Sequence, residues 1–190
     1  MLAQFPEGWG TIEYVTEHAT QIIACRVERV LEEKYIAGDF AWQFTYVVSI
    51  LDIYLDLHGR MRVDDVAEVV MHEGMMTAKK AWRIMCEEDN PILPPLFTPE
   101  LYGDGDWVTS TYYDAIPVEV GKTYLMFLND GILEKTGCYN EIGDAFLYEY
   151  EGDTVYVGAN MRKSESTTAQ IIEMIKDQIE KRPNGGGEGA

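Results

Sequence analysis

Residues 42–57, WQFTYVVSILDIYLDL, decide the fold of this chain. Over residues 42–50 large apolar side chains occupy the even positions, which is the period-two pattern of a half-buried β-strand. Over residues 51–57 the apolar side chains occupy the odd positions instead. A change of phase by one residue within a continuous strand indicates a β-bulge. Long bulged strands are typical of small closed barrels, so this stretch predicts a long, bent strand of that kind.

The segments on either side of this strand add further strands and three helices. Residues 122–129 contain five successive apolar residues, 124–128, which predict a strand that is buried on both faces. The order of elements is that of a mainly β protein with helices (α+β). It predicts an OB-like Greek-key β-barrel with an N-terminal helix, a helix after the third strand and a C-terminal helix. The other predicted strands lie at 21–31, at 66–72 and in a hairpin of 145–150 and 154–157. The predicted helices lie at 11–20, at 75–88 and from Thr167 onward, where Gln170 completes a capping box. The apolar stripe of this last helix consists of Ile171, Ile172, Met174, Ile175 and Ile179.

Length and charge bound the domain organisation and argue against several kinds of partner. The chain has 190 residues, with 15 Lys and Arg against 33 Asp and Glu, so its formal net charge is −18. We expect one OB-like domain over residues 1–182 and a flexible tail over residues 183–190. The excess of acids argues against nucleic acid and anionic membrane surfaces, and no apolar run approaches the ~20 residues of a membrane span. A basic protein partner, a cation or solubility alone remain as explanations of the charge.

The cysteines and the N-terminus leave the compartment open. Cys25, Cys86 and Cys138 form no CxxC pair, which excludes a zinc ribbon or a thioredoxin-type motif. Two alternatives remain, one Cys86–Cys138 disulfide in an exported protein or three reduced buried thiols. Residues 1–10 lack the basic and apolar regions of a signal peptide. We therefore expect a secreted or cell-surface protein if an upstream signal was trimmed, and a cytoplasmic protein otherwise.

Residues 87–119 differ in composition from the rest of the chain and are the best candidate for a binding surface. They hold eight acids, five of the chain's prolines and no Lys or Arg. Long loops on a rigid barrel often carry function; exposed aromatic side chains supply contact area, and acids steer a basic partner. The alternative is that the aromatic side chains pack the insertion onto the barrel. The predicted partner-binding residues of the 91–113 insertion are Phe97, Tyr102, Trp107, Tyr112 and Tyr113.

Metal sites and catalytic centres have weaker support in the sequence. Asp104 and Asp106 flank Gly105 and could supply the hard oxygen ligands that calcium prefers, although the full calcium-binding loop is absent. The alternative is a solvated acidic loop. His58 and His72 could meet across neighbouring strands and bind a metal. No motif for nucleophilic catalysis or phosphate binding is assembled, so the sequence predicts no catalytic residue, and no cofactor besides the calcium candidate.

Two stretches carry a resemblance to a known family. They are residues 13–30, EYVTEHATQIIACRVERV, and residues 120–129, VGKTYLMFLN. Together they resemble uncharacterised bacterial proteins similar to the netrin and tissue-inhibitor-of-metalloproteinase OB-fold, in which a V-G-x-x-Y-L-x-F-L strand and a Gly-ended strand like residues 69–74 recur. The resemblance covers residues 11–160 and implies the OB fold. It transfers no functional residue, because those inhibitors chelate zinc through an amino-terminal cysteine, whereas residue 1 here is Met and the first cysteine is Cys25.

The sequence favours a non-catalytic binding module over its alternatives. We expect an OB-like barrel that contacts a protein or peptide, of basic character, through the 91–113 insertion. One alternative is an acidic decoy that mimics nucleic acid and blocks basic proteins, although a decoy should spread its acids along one face. The other is an enzyme with an unrecognised site, whose mark would be a perturbed His58 or His72 beside a carboxylate.

Overall fold

A mixed sheet flanked by helices carries the fold. The computed structural model describes residues 11–36, 41–72, 74–87, 105–110, 118–142, 148–157, 162–163 and 166–182. Within these residues the helices are α1 (Ile12–His18), α2 (Ala78–Glu87), α3 (Leu133–Thr136) and α4 (Thr168–Lys181). The strands are β1 (Gln21–Ile36), β2 (Ala41–Asp56), β3 (Val66–Met71), β4 (Gly74–Thr77), β5 (Trp107–Ser110), β6 (Thr123–Asn129), β7 (Tyr139–Glu141), β8 (Tyr148–Glu151), β9 (Thr154–Val157) and β10 (Arg162–Lys163).

Most of the described strands belong to one sheet. Its order is β1-β2-β3-β7-β6-β8-β9-β10, and β1 also pairs with β6. The β3–β7 pairing is parallel, and the other pairings of this sheet are antiparallel. β4 and β5 form a separate antiparallel ribbon. The prediction of a mainly β protein with helices is therefore confirmed.

The change of phase in β2 corresponds to a break in the β1–β2 register. Ala24 pairs with Asp52 and Cys25 pairs with Ile50, so Leu51 is left between the two pairs. Leu51 is 44% exposed, while Ile50 before it is buried and Ile53 after it packs against the same core. A bulge moves the following side chains to the opposite face. The bulge predicted from the sequence is confirmed.

Strand β6 is buried on both faces, as predicted, and it separates two apolar cores. Tyr124, Met126 and Leu128 face the larger core, which includes side chains of β1, β2, β3 and α2. Leu125 and Phe127 face the smaller core, which includes side chains of α1 and α4. The five residues 124–128 are each at most 1% exposed. The continuous apolar run follows from this position between two cores.

The ends of α1 and α4 follow local sequence signals. The Thr11 side chain accepts a hydrogen bond from the backbone N–H of Tyr14 and so caps α1. Thr167 and Gln170 form the predicted capping box at the start of α4. Met174 does not belong to the buried stripe of α4, because its side chain is 43% exposed. Among the described residues, no helix is long and apolar enough to cross a membrane.

The prediction of a helix over residues 75–88 is wrong at its start. Residues 74–77 form β4, and α2 begins at Ala78. β4 pairs with β5, which lies inside the 87–119 insertion where the sequence indicated no strand. The buried side chain of Met76 joins the larger core from this strand. Its strand partner lies far along the chain, so the local pattern could not reveal the pairing.

Several predictions concern residues outside the described ranges. They include most of the 87–119 insertion, the start of the 145–150 strand and the 183–190 tail. Within the described residues the predicted hairpin is confirmed, because β8 and β9 pair across the turn at Gly152.

Candidate functional site

A groove of about 510 Å³ opens between β1, the β4–α2 junction and residues 118–120. Met76 and Val118 form buried parts of its wall, 3% and 2% exposed, while Val120 at the rim is 55% exposed. A concave, largely apolar surface with a few polar groups is typical of ligand sites, and this volume lies within their usual range. The lining residues are Val30, Glu33, Met76, Thr77, Lys80, Val118, Glu119 and Val120.

An ion pair between Glu33 and Lys80 lies in this groove. The Glu33 side chain on β1 is 9% exposed, whereas the Lys80 side chain on α2 is 50% exposed. A carboxylate removed from water needs a counter-ion or hydrogen bonds. Among the described residues, Lys80 forms the ion pair with Glu33. Because half of the Lys80 side chain lies in solvent, its ammonium group is less confined than the carboxylate that it pairs with.

Glu119 adds a second carboxylate to the groove wall. Its backbone N–H donates to the hydroxyl of Tyr124 at 2.9 Å, which fixes residue 119 next to the start of β6. Burial raises the pKa of Tyr124, so this hydroxyl stays neutral. Glu33, Lys80 and Glu119 together give the groove one more negative charge than positive charges.

The C-terminal end of the acidic insertion adjoins the groove. Val118 and Glu119 line it, whereas the chain enters the insertion after Glu87, at the other end of α2 from the groove. The backbone N–H of Ala78 donates to the carbonyl of Asp106 at 2.9 Å, which joins the start of α2 to the β5 side of the insertion. The groove is therefore the described surface that adjoins the predicted binding segment.

Most of the predicted partner-binding residues lie outside the described ranges. These are Phe97, Tyr102, Tyr112 and Tyr113. Trp107 begins β5 and pairs in register with Thr77, a residue of the groove wall. The 91–113 contact surface stays a prediction, and its one described segment adjoins the groove.

The structure describes one of the two residues of the predicted calcium site. Asp104 lies outside the described ranges, and Asp106 is an exposed residue that precedes β5. Within the described residues, no group of three or more His, Cys, Asp or Glu side chains could hold a metal ion. Calcium binding by Asp104 and Asp106 stays a prediction.

A second buried carboxylate, Asp130, lies at the far end of β6. Its Oδ2 accepts hydrogen bonds from His58 Nδ1 at 2.5 Å and Gln21 Nε2 at 3.3 Å, and Arg60 Nη1 lies 3.3 Å away. Its backbone N–H donates to the Thr20 hydroxyl at 3.0 Å. These contacts join the start of β1, the β2–β3 turn and the end of β6. We call Thr20, Gln21, His58, Arg60 and Asp130 the Asp130 clamp.

The clamp stabilises the ionised form of Asp130. Burial opposes ionisation, but hydrogen bonds from His58 and Gln21 and the charge of His58 outweigh it, so the pKa of Asp130 lies below its ordinary value. The Asp130 side chain is 9% exposed and the His58 side chain 47% exposed. Gly59, between His58 and Arg60, has φ of 63°, which lets the turn present both side chains to one carboxylate.

The expectation that His58 and His72 meet is wrong. β2 and β3 are antiparallel with Phe44 opposite Met71, so His72 lies beside the start of β2. His58 follows the other end of β2 and contacts Asp130. The two imidazoles therefore lie at opposite ends of the strand pair, and a metal site between them does not form.

Cys25 and Cys138 are buried. Cys138 forms no disulfide, so the alternative of a Cys86–Cys138 disulfide is wrong. The Cys138 thiol lies 3.6 Å from the Glu68 carboxylate. Burial and this negative neighbour raise the pKa of Cys138, so it is a poor nucleophile.

A third buried carboxylate, Glu149 on β8, has a lysine partner. Lys122 Nζ lies 2.7 Å from its Oε1, and the Glu149 side chain is 3% exposed. Its Oε2 has no hydrogen-bond partner within the described part of the chain. Glu149 pairs in register with Tyr124 and lines no described cavity, so its ion pair is part of the sheet.

Comparisons with known proteins give no relative from which a function could be transferred. No protein-family model matches the chain, and no curated protein matches it. The resemblance to the netrin and tissue-inhibitor-of-metalloproteinase OB-fold therefore stays a prediction.

Sequence reasoning missed the functional candidates Glu33 and Lys80. Glu33 is one of several acids in the exposed-looking end of β1, and its neighbour Glu32 is 58% exposed. Lys80 belongs to a helix whose start was misplaced. Their proximity depends on how α2 packs against β1, for which the sequence carries no local signal.

Proposed function

We propose that the strands form an OB-like Greek-key barrel. The pairings β1–β2, β2–β3, β3–β7, β7–β6 and β6–β1 return to their starting strand. An OB-fold is a five-stranded Greek-key barrel. In this assignment β6 and β7 are its fourth and fifth strands, and α2 is the helix that precedes the fourth. The resemblance of residues 120–129 to a strand of the netrin-like group supports the same assignment.

We propose that the protein is a non-catalytic binding module for a basic segment of a partner protein or peptide. The 91–113 insertion and the groove at its base would form the contact surface. The observation that carries this proposal is the Glu33–Lys80 pair, because it places a buried carboxylate with an exposed counter-ion in an apolar groove. Such a site has both the contact area and the charge that a basic, partly apolar segment requires.

The His58–Asp130 pair supports a structural role more than the enzyme alternative. The expected mark of an enzyme is a perturbed His58 or His72 beside a carboxylate, and His58 lies beside Asp130. Asp130 also binds Arg60 and Gln21, and each of these contacts joins a different part of the chain. Linking three segments accounts for the whole arrangement, so we place binding at the groove and stability at the clamp.

The test removes the insertion while keeping β5 in its ribbon. Residues 91–104 are replaced by a short Gly-Ser linker, which has to span the rise of α2, about 15 Å. Intact protein, this variant and Val120→Lys are compared in pull-downs from the lysate and culture medium of the source cells. We expect a partner that the intact protein captures and that both variants lose.

The control is Asp177→Asn, which removes an exposed acid of α4 on another part of the surface. Circular dichroism and thermal unfolding establish that each variant is folded. Equal capture by the intact protein and both variants would contradict the proposal. Capture that survives both changes but is abolished by modest added salt would favour the acidic decoy.

A further inference from the structure

We infer that Glu33 forms a subsite for the cationic end of a Lys or Arg side chain of the partner, which enters by displacing Lys80. This inference rests on the proposed binding function and names the chemistry that the groove would recognise. It is carried by three observations: the burial of Glu33, the exposure of Lys80, and the apolar walls around them.

Glu33 needs a cation beside its carboxylate. Its side chain is 9% exposed and lines an apolar groove. Without a counter-ion the charge of Glu33 would stay uncompensated in this surrounding, which is unfavourable. The position therefore selects a cation, but it does not require that the cation come from this chain.

Lys80 can leave Glu33 and be replaced by a cation of the partner. Lys80 lies in the first turn of α2 with half of its side chain in solvent, so it can move into water without unfolding the helix. A lysine recovers its hydration when it leaves, and its flexible stem regains rotamer freedom. An incoming Lys or Arg would keep Glu33 paired, so the exchange leaves the number of buried charges unchanged.

The apolar walls of the groove would contact the rest of the ligand. Val30, Met76, Val118 and Val120 surround the ion pair with hydrocarbon. The methylene stem of a Lys or Arg and an apolar neighbour would bury apolar surface there, which favours binding. Glu119 on the same wall and the net charge of −18 attract cations toward the groove.

The experiment titrates three tripeptides into the full-length protein with labelled valine and methionine methyl groups. The probes are acetyl-Leu-Lys-Leu-amide, the same peptide with norleucine in place of Lys, and the same peptide with Glu. We expect the Lys peptide to shift the methyl signals of Val30, Met76 and Val118, and to bind about tenfold more tightly than the other two.

Variants separate the subsite from general charge attraction. Glu33→Gln should remove the preference for Lys, while Glu32→Gln, a change of the exposed neighbouring acid, should keep it. Lys80→Met should tighten binding of the Lys peptide several-fold because it removes the competing cation. Lys80→Gln, which can still donate to Glu33, serves if Lys80→Met does not fold, and Lys135→Met on α3 is the matched control.

Two results would overturn the inference. One is equal binding of the three peptides, or no binding of the Lys peptide at about 10 mM. The other is a Lys preference that survives Glu33→Gln. Loss of partner capture in the 91–104 linker variant without a Lys preference would overturn this subsite and keep the proposed function. A Lys preference with partner capture unchanged in the linker variant would keep the subsite and overturn the role of the insertion.

Discussion

Glu33 and Asp130 are carboxylates with equal exposure and different surroundings. Each side chain is 9% exposed. Asp130 contacts His58, Gln21 and Arg60, which come from two other parts of the chain. Glu33 contacts Lys80, whose side chain is half in solvent, and it faces an apolar groove. Burial alone therefore does not separate a structural carboxylate from a binding one, whereas the number of partners does.

The largest expected effect is at the clamp. Asp130→Asn keeps the shape of the side chain but removes the charge that holds His58 and Arg60. We expect a loss of about 2 kcal/mol in the free energy of unfolding, because hydrogen bonds to charged groups contribute more than neutral ones. Urea unfolding followed by circular dichroism measures it. Asp177→Asn is the control, and an equal effect of the two changes would contradict the clamp.

At acidic pH the free energies of unfolding of the intact protein and Asp130→Asn should differ by less than they do at neutral pH. The pKa of Asp130 is lower in the folded than in the unfolded protein, so its contribution to stability is complete above the unfolded value of about 3.9. It is lost as the pH falls through the lower, folded pKa. Urea unfolding at about pH 7 and about pH 3 should show a smaller difference at the lower pH. A difference that grows on acidification would refute this assignment.

The Glu33–Lys80 pair should show a smaller effect with a different pattern. Lys80→Met leaves a buried carboxylate unpaired and should cost about 1 kcal/mol. The double variant Glu33→Gln/Lys80→Met removes both charges and should recover most of that loss. A double-mutant cycle of unfolding free energies measures the coupling. Strictly additive losses would show that the two side chains do not interact.

The smallest effect on stability is expected at the rim of the groove. Val120 is 55% exposed, so Val120→Ser should change the free energy of unfolding by less than about 0.5 kcal/mol. It should still weaken binding of the Lys tripeptide, because the ligand loses apolar contact. Thermal unfolding and the methyl titration test both parts. A large loss of stability would mean that Val120 belongs to the core.

The features of the fold that the sequence predicted depend on neighbouring residues. The bulge at Leu51 follows from a change of phase within one strand, and the start of α4 follows from Thr167 and Gln170. β4 was missed because its partner strand, β5, lies within a segment of loop-like composition. Pairings of this kind are decided by tertiary context, since short strands carry little preference of their own.

The candidate site could be predicted from the sequence only in outline. Composition indicated the insertion, and the structure places its C-terminal end, Val118 and Glu119, in the groove wall. Composition could not separate Glu33 from Glu32, because both are acids in the same strand and only the packing of α2 makes one buried. The Asp130 clamp depends on side chains that are distant along the chain, so no local pattern marks it.

The most direct test compares partner capture by Glu33→Gln and Asp130→Asn at a temperature where circular dichroism shows both to be folded. The account predicts that Glu33→Gln loses the partner that intact protein captures, while Asp130→Asn and the control Glu32→Gln retain it. Retention by Glu33→Gln together with loss by Asp130→Asn would contradict the account and would move the binding site to the clamp.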